Sequence, residues 1–440
     1  MLKPTLKHVI NRQLDSFACV NGWIKKVRKQ KRFWFAEIND GSTAESLQAV
    51  IPSELIKDHN ILSLGTSLEL NGKLVKSLGS MQKLEILVDN FRVLGKCPGD
   101  SYPIQKLNNS ADFMRSNSLN FRLRTDRDSS IARLKSGLFL SLAHVLRDND
   151  FIRIFPPILT EHDCEGGGEV FRVEAERHNF FSKPAFLTVS TQLHLEIAAA
   201  AFPRVYSFSP VFRAENQDTT KHLSEFWMLE CEISFLDDLV SLSDFIEDLL
   251  KSSAKELFNT CKDDALDREK TDRFFNRPFS RISYTDAVKE LSKLNSKFIH
   301  SLNWGKDLQT EHERFLAEEI FKGPVFVTDY PANLKPFYMK LNDDGKTVKC
   351  LDLLIPGIGE IVGGSLREDD YDILKSNIRQ KLGTIEENNP LQWYLDLRKF
   401  GSVPHGGFGL GFDRFLQFLS GTNNIRDTVM IPRYAGAIKF

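Results

Sequence analysis

The sequence lacks a Cys-x-x-Cys pair. Its six cysteines, at 19, 97, 164, 231, 261 and 350, are scattered. That argues against a structural zinc site and a disulfide framework and suits a reducing compartment. No apolar run is long enough to span a bilayer, so no membrane partner is expected. Neither sign of charge is in excess: 58 Lys and Arg stand against 59 Asp and Glu, a net charge of −1. Any nucleic-acid contact must therefore use a local basic patch. The Walker loop G-x-x-x-x-G-K-[ST] is absent, as are internal repeats and low-complexity tracts. The remaining composition, 41% hydrophobic and 27% charged, is that of a globular protein. At 440 residues the chain is too long for a single core.

Residues 1–17 form a tail and a candidate targeting segment. They open with Lys3, Lys7 and Arg12 and no acid before Asp15, a pattern shared by mitochondrial presequences and plain basic termini. Residues 18–95 read as short strands broken by Gly, Asn and Asp turns: "ACVNGWIKKV", "RFWFAEI", "SLQAVI", "SLELNGKLVK" and "KLEILVDNFRVLG". About five strands at this spacing fit a closed barrel of the oligonucleotide-binding (OB) type. Basic and aromatic residues interleave at its start, from Lys25, Lys26, Arg28, Lys29, Lys31 and Arg32 to Phe33, Trp34 and Phe35. Phe33 and Phe35 share a face and Trp34 lies opposite, so at least one ring is expected on the surface. Charge that tracks phosphate beside rings that stack bases favours nucleic-acid binding over a solvated turn followed by core aromatics.

Residues 96–125 are rich in Pro, Asn and Ser and read as a hinge. Residues 126–440 mix helices and strands without a βαβ rhythm. Ile131, Leu134, Leu138, Leu142 and Val145 follow the helical period. "FIRIFPPIL" reads as a strand ended by prolines, and helical blocks follow near 239–262, 284–293 and 310–320. Strands are expected at "PVFVTDY", "FYMKL", "CLDLLIP" and "GEIVGGS", before a Gly-rich turn and a last helix. The expected class is α+β, an antiparallel sheet flanked by helices.

The stretch "PVFRAENQDTTKHLSEFWMLECEISF", residues 210–235, reads as two strands joined by a polar loop. Arg213 and Glu215 are expected on the first strand, facing one way. On the second, Phe226, Met228, Glu230 and Glu232 share one face, and Trp227, Leu229 and Cys231 form a candidate core face. Carboxylates buried without partners cost several kcal/mol, so the charged face is either wet or occupied by a ligand. An arginine for phosphate, a ring for a base and a carboxylate for an exocyclic amine match a nucleotide. Arg414 sits in "GLGFDRF", where glycine lets backbone approach a ligand. Asp352 and Glu360 bracket "LLIPGIG". They are either a pair of oxygens for Mg²⁺ or ordinary strand-end acids.

At these residues the chain resembles class II aminoacyl-tRNA synthetases, in the subgroup with the aspartyl and asparaginyl enzymes. The helix, strand and Pro157 resemble the first motif of the class, "FRAENQDTTKHLSEF" the second and "GLGFDR" the third. The resemblance implies an antiparallel catalytic sheet with an OB barrel in front, in a homodimer. It implies ATP and Mg²⁺ as cofactors. Arg213 would hold the α-phosphate and Glu215 the adenine amine. Phe226 and Arg414 would stack on the adenine, His222 would reach the outer phosphates, and Asp352 and Glu360 would hold the metal. In the barrel, Phe35 matches the ring on the middle anticodon uridine, Gln48 the side chain that reads it, and Arg28 lies in the adjoining basic turn.

"DCEGGGEVF" and "VSTQLHLE" resemble the asparaginyl branch. Glu165, Ser190 and Gln192 would hold the substrate ammonium. Aspartyl enzymes place at position 195 a lysine that balances the substrate carboxylate; here it is Leu195. A neutral amide needs no such cation, but its NH₂ wants an acceptor. Glu230 would be that acceptor, with Arg367 donating to the amide oxygen. The implied reaction is attachment of asparagine to tRNA(Asn) through an adenylate. Departures from the pattern are Thr191 for Gly or Pro, Asp413 for Glu, Lys221 for Arg, and "PRYAGAIKF" for "PRTPG". With the basic start they favour the mitochondrial matrix over the cytoplasm. The alternatives are an aspartyl enzyme, able to charge one or both tRNAs, a catalytically silent RNA-binding paralogue, and an ammonia-dependent asparagine synthetase on the same scaffold.

Overall fold

The structure is a computed structural model and describes residues 2–58, 60–77, 79, 82–105, 109–161, 169–176, 180–264, 266–383 and 391–440. The chain divides into two compact units, residues 1–136 with 261–265, and residues 137–260 with 266–440.

In the first unit β1 (Phe17–Lys29), β2 (Phe33–Asn39), β3 (Leu47–Pro52), β4 (Ser67–Lys76) and β5 (Leu84–Gly95) close a barrel in the order β1-β2-β3-β5-β4. Alternation drives closure. Ala18, Val20 and Ile24 point inward from β1 to meet Trp34, Ala36 and Ile38 from β2, all buried. Trp34 is thus the core ring of the aromatic triplet, while Phe33 is exposed and Phe35 half-buried. The expected surface ring is in fact two rings. Ahead of the barrel, the short helix α1 (Leu6–Ile10) sinks Leu6 and Val9 into the same core, and the Leu6 amide donates to Asp40 Oδ2 at 2.7 Å. The stretch 96–125 holds α2 (Ala111–Asn117), capped by the Ser110 hydroxyl. The long helix α3 (Asp126–Asp148) follows. It buries Ile131, Leu134, Leu138 and Leu142 as its period dictates, and then Leu146 rather than Val145.

In the second unit the strands are β6 (Ile152–Arg153), β7 (Leu159–Thr160), β8 (Arg172–Val173), β9 (Ala185–Leu187), β10 (Arg204–Phe212), β11 (Glu225–Ser234), β12 (Ser280–Ser283), β13 (Val325–Thr328), β14 (Cys350–Ile355), β15 (Gly359–Leu366) and β16 (His405–Gly411). Eight of them form one sheet in the order β12-β13-β14-β15-β16-β11-β10-β6, and β7-β9-β8 form a small second sheet. The large sheet is antiparallel except for its two edge pairs, β12 with β13 and β10 with β6. The helices that flank it include α4 (Gln192–Ala199), α5 (Leu239–Thr260), α6 (Arg268–Phe275), α7 (Tyr284–Ser292), α8 (Thr310–Phe315), α9 (Tyr371–Leu382), α10 (Gln392–Lys399) and α11 (Phe412–Ser420). α11 buries Phe412, Phe415, Leu416, Phe418 and Leu419.

Three expectations need correction. "FYMKL" is not a strand; it makes only isolated bridges, Met339 to Arg367 and Leu341 to Val348. "FIRIFPPIL" supplies two two-residue strands on either side of its prolines, because proline cannot donate to a ladder. β10 ends at Phe212, so Arg213 and Glu215 lie past the strand. Only the Arg213 amide, donating to Ser224 O at 3.0 Å, continues the ladder.

Candidate active site

Across the middle of the large sheet runs a row of paired residues: Ser207 on β10, Glu230 on β11, Gly409 on β16, Gly363 on β15 and Asp352 on β14. Glycine occupies two of its five places, so no side chain fills the sheet there. The neighbouring row repeats the device, with Glu232 opposite Gly407. A Cβ on Gly407 would lie 2.1 Å from Glu232 Oε2. The result is a trough of about 540 Å³ with a glycine floor and charged walls, within the usual size of a small-molecule site.

The trough brings together most of the residues singled out above. Arg213, Glu215, His222, Phe226 and Arg414 line it with Ser190, Gln192, Glu230, Arg367, Asp352 and Glu360. At one end the Arg213 guanidinium lies over the Phe226 ring, 5.7 Å from its centroid. His222 Nε2 is 3.5 Å from Glu215, and its Nδ1 meets the Thr219 hydroxyl at 2.6 Å. Burial lowers the His222 pKa, Glu215 only partly opposing it and Arg414 and Lys221 adding to the effect. Arg414 Nη1 donates to the Glu360 carbonyl at 2.8 Å.

At the other end Glu230, 3% exposed, accepts from the Thr191 amide at 2.9 Å and from the Ser190 and Thr191 hydroxyls. Arg367, also 3% exposed, forks onto Glu232 with two bonds of 3.0 Å and donates to the Ser365 hydroxyl at 2.7 Å. Behind them Glu196 is buried among Arg398, Tyr394 and His405. Burial would raise its pKa, but Arg398 and His405 overcome this and hold it well down. Gln192 donates to Glu196 at 3.1 Å. Leu195 faces away from the trough, fully buried with Ala199 and Val205. Glu165 lies outside the described residues.

Between the two ends stand Asp352 and Glu360, with a third acid, Glu313, near them. Asp352 is paired with the half-buried Lys335 at 2.7 Å. Burial and then Asp352 raise the pKa of Glu360. Burial, Glu360 and Asp352 push Glu313, on α8, up to about 7. Gly359, with φ of +93°, makes room for it: a Cβ there would stand 2.8 Å from Glu313 Oε2. Among the described residues no group of three His, Cys, Asp or Glu is arranged as a ready metal site. Asp352 and Glu360 nevertheless fit Mg²⁺, which needs one or two hard carboxylate oxygens and takes phosphate and water for the rest. A cation there would relieve the burial and the Asp352 repulsion that raise Glu360.

Sequence reasoning missed Thr191 as a partner of Glu230, Lys335 as a partner of Asp352, and Glu313. In the sequence Thr191 stands out only as a departure from the family pattern. Lys335 and Glu313 lie in no motif. Trp227, expected in the core, is 36% exposed and stacks on Phe208 at 5.0 Å.

The outer face of the barrel carries two neighbouring rows of paired residues. Arg28 on β1 pairs in register with Phe35 on β2, Glu37 on β2 with Gln48 on β3, and Gln48 with Glu85 on β5. Arg28 lies over the Phe35 ring at 5.6 Å and donates to Gln48 Oε1 at 3.0 Å. The expected anticodon residues therefore share one outer face.

Known proteins match this arrangement along its length. Residues 113–435 match the family described as tRNA synthetases class II (D, K and N), and residues 18–94 match the OB-fold nucleic acid binding domain. The chain is 42% identical to a Mus musculus protein named asparaginyl-tRNA synthetase, over 94% of this chain and 89% of that one. It is also 42% identical to the asparagine–tRNA ligase of a Bacillus cereus strain, over the whole of both chains. Its fold is similar to the crystal structure of asparaginyl-tRNA synthetase from Pyrococcus horikoshii complexed with asparaginyl-adenylate. There the TM-score is 0.89 and the identity 30%, covering 100% of this chain and 99% of that one.

Proposed function

The chain belongs to the class II tRNA synthetases of the D, K and N group, and from that membership and the trough we infer that it attaches asparagine to tRNA(Asn) with ATP. The observation that carries this reading is one trough with a nucleotide-type set at one end and an amide-type set at the other. Arg213 would take the α-phosphate, and Glu215 would accept from the adenine amine between Phe226 and Arg414. His222, kept neutral by burial, would donate to the outer phosphates. Asp352 and Glu360 would hold Mg²⁺, which when bound neutralises phosphate charge. The asparagine carboxylate attacks the α-phosphorus and pyrophosphate leaves. The terminal hydroxyl of the tRNA then attacks the carbonyl carbon and AMP leaves. Neither step demands a dedicated base in the trough; orientation and charge stabilisation carry the rate.

The charge balance favours asparagine over aspartate. Glu230 and Glu232 set two negative charges against the one positive charge of Arg367. A substrate carboxylate would meet a net negative wall, whereas an amide can donate to Glu230 and accept from Arg367. We assign residues 18–95 to anticodon binding and 126–440 to catalysis. Self-association through the first motif is supported by Leu140, Ile152 and Phe155, which are exposed there; sedimentation as a monomer at micromolar concentration would refute it. Among the described residues no helix is long and apolar enough to cross a membrane. The basic start supports the mitochondrial matrix. Import of the full chain into isolated mitochondria would check this.

The deciding experiment is amino-acid-dependent ATP–pyrophosphate exchange, followed by charging of a transcript with a GUU anticodon. Exchange with asparagine far above that with aspartate is expected. Equal exchange with both would make the chain an aspartyl or non-discriminating enzyme. Exchange with neither would leave the silent paralogue.

A further inference from the structure

The loop between β10 and β11 is held by more than its own residues. At its far end the Thr220 carbonyl accepts from the Ile425 amide at 2.9 Å. Arg426 Nη2 donates to the Thr219 carbonyl at 3.1 Å and pairs with Asp218. The Arg426 guanidinium in turn lies on the Tyr434 ring, 3.6 Å from its centroid. Tyr434 is the residue at which "PRYAGAIKF" first departs from "PRTPG". A segment after α11 therefore anchors the loop backbone at residues 218–220, and the side chain that this anchoring places beside His222 is Thr219. Its hydroxyl oxygen accepts from the Lys221 amide at 3.2 Å and meets His222 Nδ1 at 2.6 Å.

We propose that Thr219 is a positioning residue that holds His222 in the tautomer protonated on Nε2, so that the ring presents a donor to the outer phosphates of ATP. The proposal rests on the reading of His222 as the residue that meets those phosphates. A neutral imidazole carries one proton for two nitrogens, and the neighbour of each nitrogen decides where that proton sits. Burial lowers the pKa of His222 and so favours the neutral ring. On one side Nε2 stands 3.5 Å from a Glu215 oxygen. A carboxylate only accepts, so this side favours N–H. On the other side a hydroxyl can donate or accept. The Lys221 amide already points at the Thr219 oxygen, and the hydroxyl proton is left to point at Nδ1. Both neighbours thus select the same tautomer.

The reverse tautomer would set the Nε2 lone pair against Glu215 in the empty site and against a phosphate oxygen in the filled one. Loss of the Thr219 hydroxyl is therefore felt by ligands that carry outer phosphates and not by those that lack them. General loosening of the loop acts differently. Arg213 and Glu215 lie on the same loop, so it would weaken every adenylate alike.

The test is binding of two probes to the full chain: ATP, and a stable sulfamoyl analogue of asparaginyl-adenylate, which has no outer phosphates. The readout is the ratio of their dissociation constants on the same protein. Thr219→Val keeps the shape and removes the hydroxyl, and Thr219 is exposed, so the core is untouched. It should weaken ATP by roughly three- to tenfold, the worth of one neutral hydrogen bond, and leave the analogue unchanged. Thr219→Ser should restore the wild-type ratio. In protein labelled at the histidine ring nitrogens, the resonances lost in His222→Asn identify His222. They should show a protonated Nε2 and a bare Nδ1 in the wild type and in Thr219→Ser, and lose that pattern in Thr219→Val. An unchanged tautomer in Thr219→Val, or equal weakening of both probes, overturns the proposal. If His222→Asn binds ATP as the wild type does, His222 does not meet the outer phosphates, and the reading beneath the proposal fails whichever tautomer is found.

Discussion

A single side chain, Glu230, shows how the trough handles a charge it cannot expose. The carboxylate is buried, but a backbone amide and two hydroxyls satisfy it, so it can remain an acceptor toward a substrate amide. Replacing it by glutamine preserves the shape and removes one negative charge. A substrate carboxylate ~5 Å away would be relieved of about 3 kcal/mol of repulsion at an effective dielectric near 20, which is roughly a hundredfold in relative affinity. Glu230→Gln is therefore expected to lower the asparagine-to-aspartate ratio in pyrophosphate exchange by ten- to a hundredfold, with the KM for ATP unchanged. A ratio that stays at the wild-type value would mean that Glu230 does not set the side-chain preference. Arg367 could not be tested as cleanly. Removing it leaves Glu232 buried without its fork, and breaking such a pair costs about 3–5 kcal/mol in stability.

At the scale of elements, the trough is a property of strand register more than of any one residue. Gly407 and Gly409 on β16 lie opposite Glu232 and Glu230, and the missing side chains create the space. A Cβ on Gly407 would meet Glu232 Oε2 at 2.1 Å and the Cys231 carbonyl at 2.2 Å. The second of these is backbone and cannot swing away. Gly407→Ala should lower stability by at least about 1–3 kcal/mol, the usual cost of overpacking. It should also abolish amide recognition, because Glu232 must release Arg367. A thermal midpoint and an asparagine KM both equal to wild type would refute this account of the floor. Much of this scale was legible in the sequence. Alternation in "ACVNGWIKKV" and "RFWFAEI" encodes barrel strands, and the helical spacing from Ile131 encodes α3. The charges of the 210–235 hairpin pointed to the trough. The less legible parts depend on contacts between segments remote in sequence. Arg213 leaves the ladder because β10 has ended, "FYMKL" finds only single bridges, and Thr191 meets Glu230 only once α4 is packed on β11. Lys335 and Glu313 reach Asp352 and Glu360 from segments with no pattern of their own.

For the molecule as a whole, net charge is close to zero, so its response to pH near neutrality is governed by a few buried groups and not by a global field. Glu313 stands out, since burial, Glu360 and Asp352 push it up to about 7 from an ordinary value of 4.5. Between these two values the folded chain holds a proton there that the unfolded chain has released. Unfolding then releases protons, so stability falls as pH rises. The contribution is fully present below pH ~4.5 and is lost by the time pH has passed ~7, at most about 3 kcal/mol for a shift of this size. Glu313→Gln is neutral at every pH and lacks this slope. In chelator-treated protein the variant and the wild type should melt at similar temperatures at pH 5, where both side chains are uncharged. The variant should melt higher at pH 8, where only the wild type carries a charge at position 313. A difference in thermal midpoint that stays constant from pH 5 to 8 would show that Glu313 does not titrate in this range. The charge that Glu313 gains at pH 8 lies beside Asp352 and Glu360, the pair suited to a cation, which ties the acid-side stability of the molecule to that part of the site.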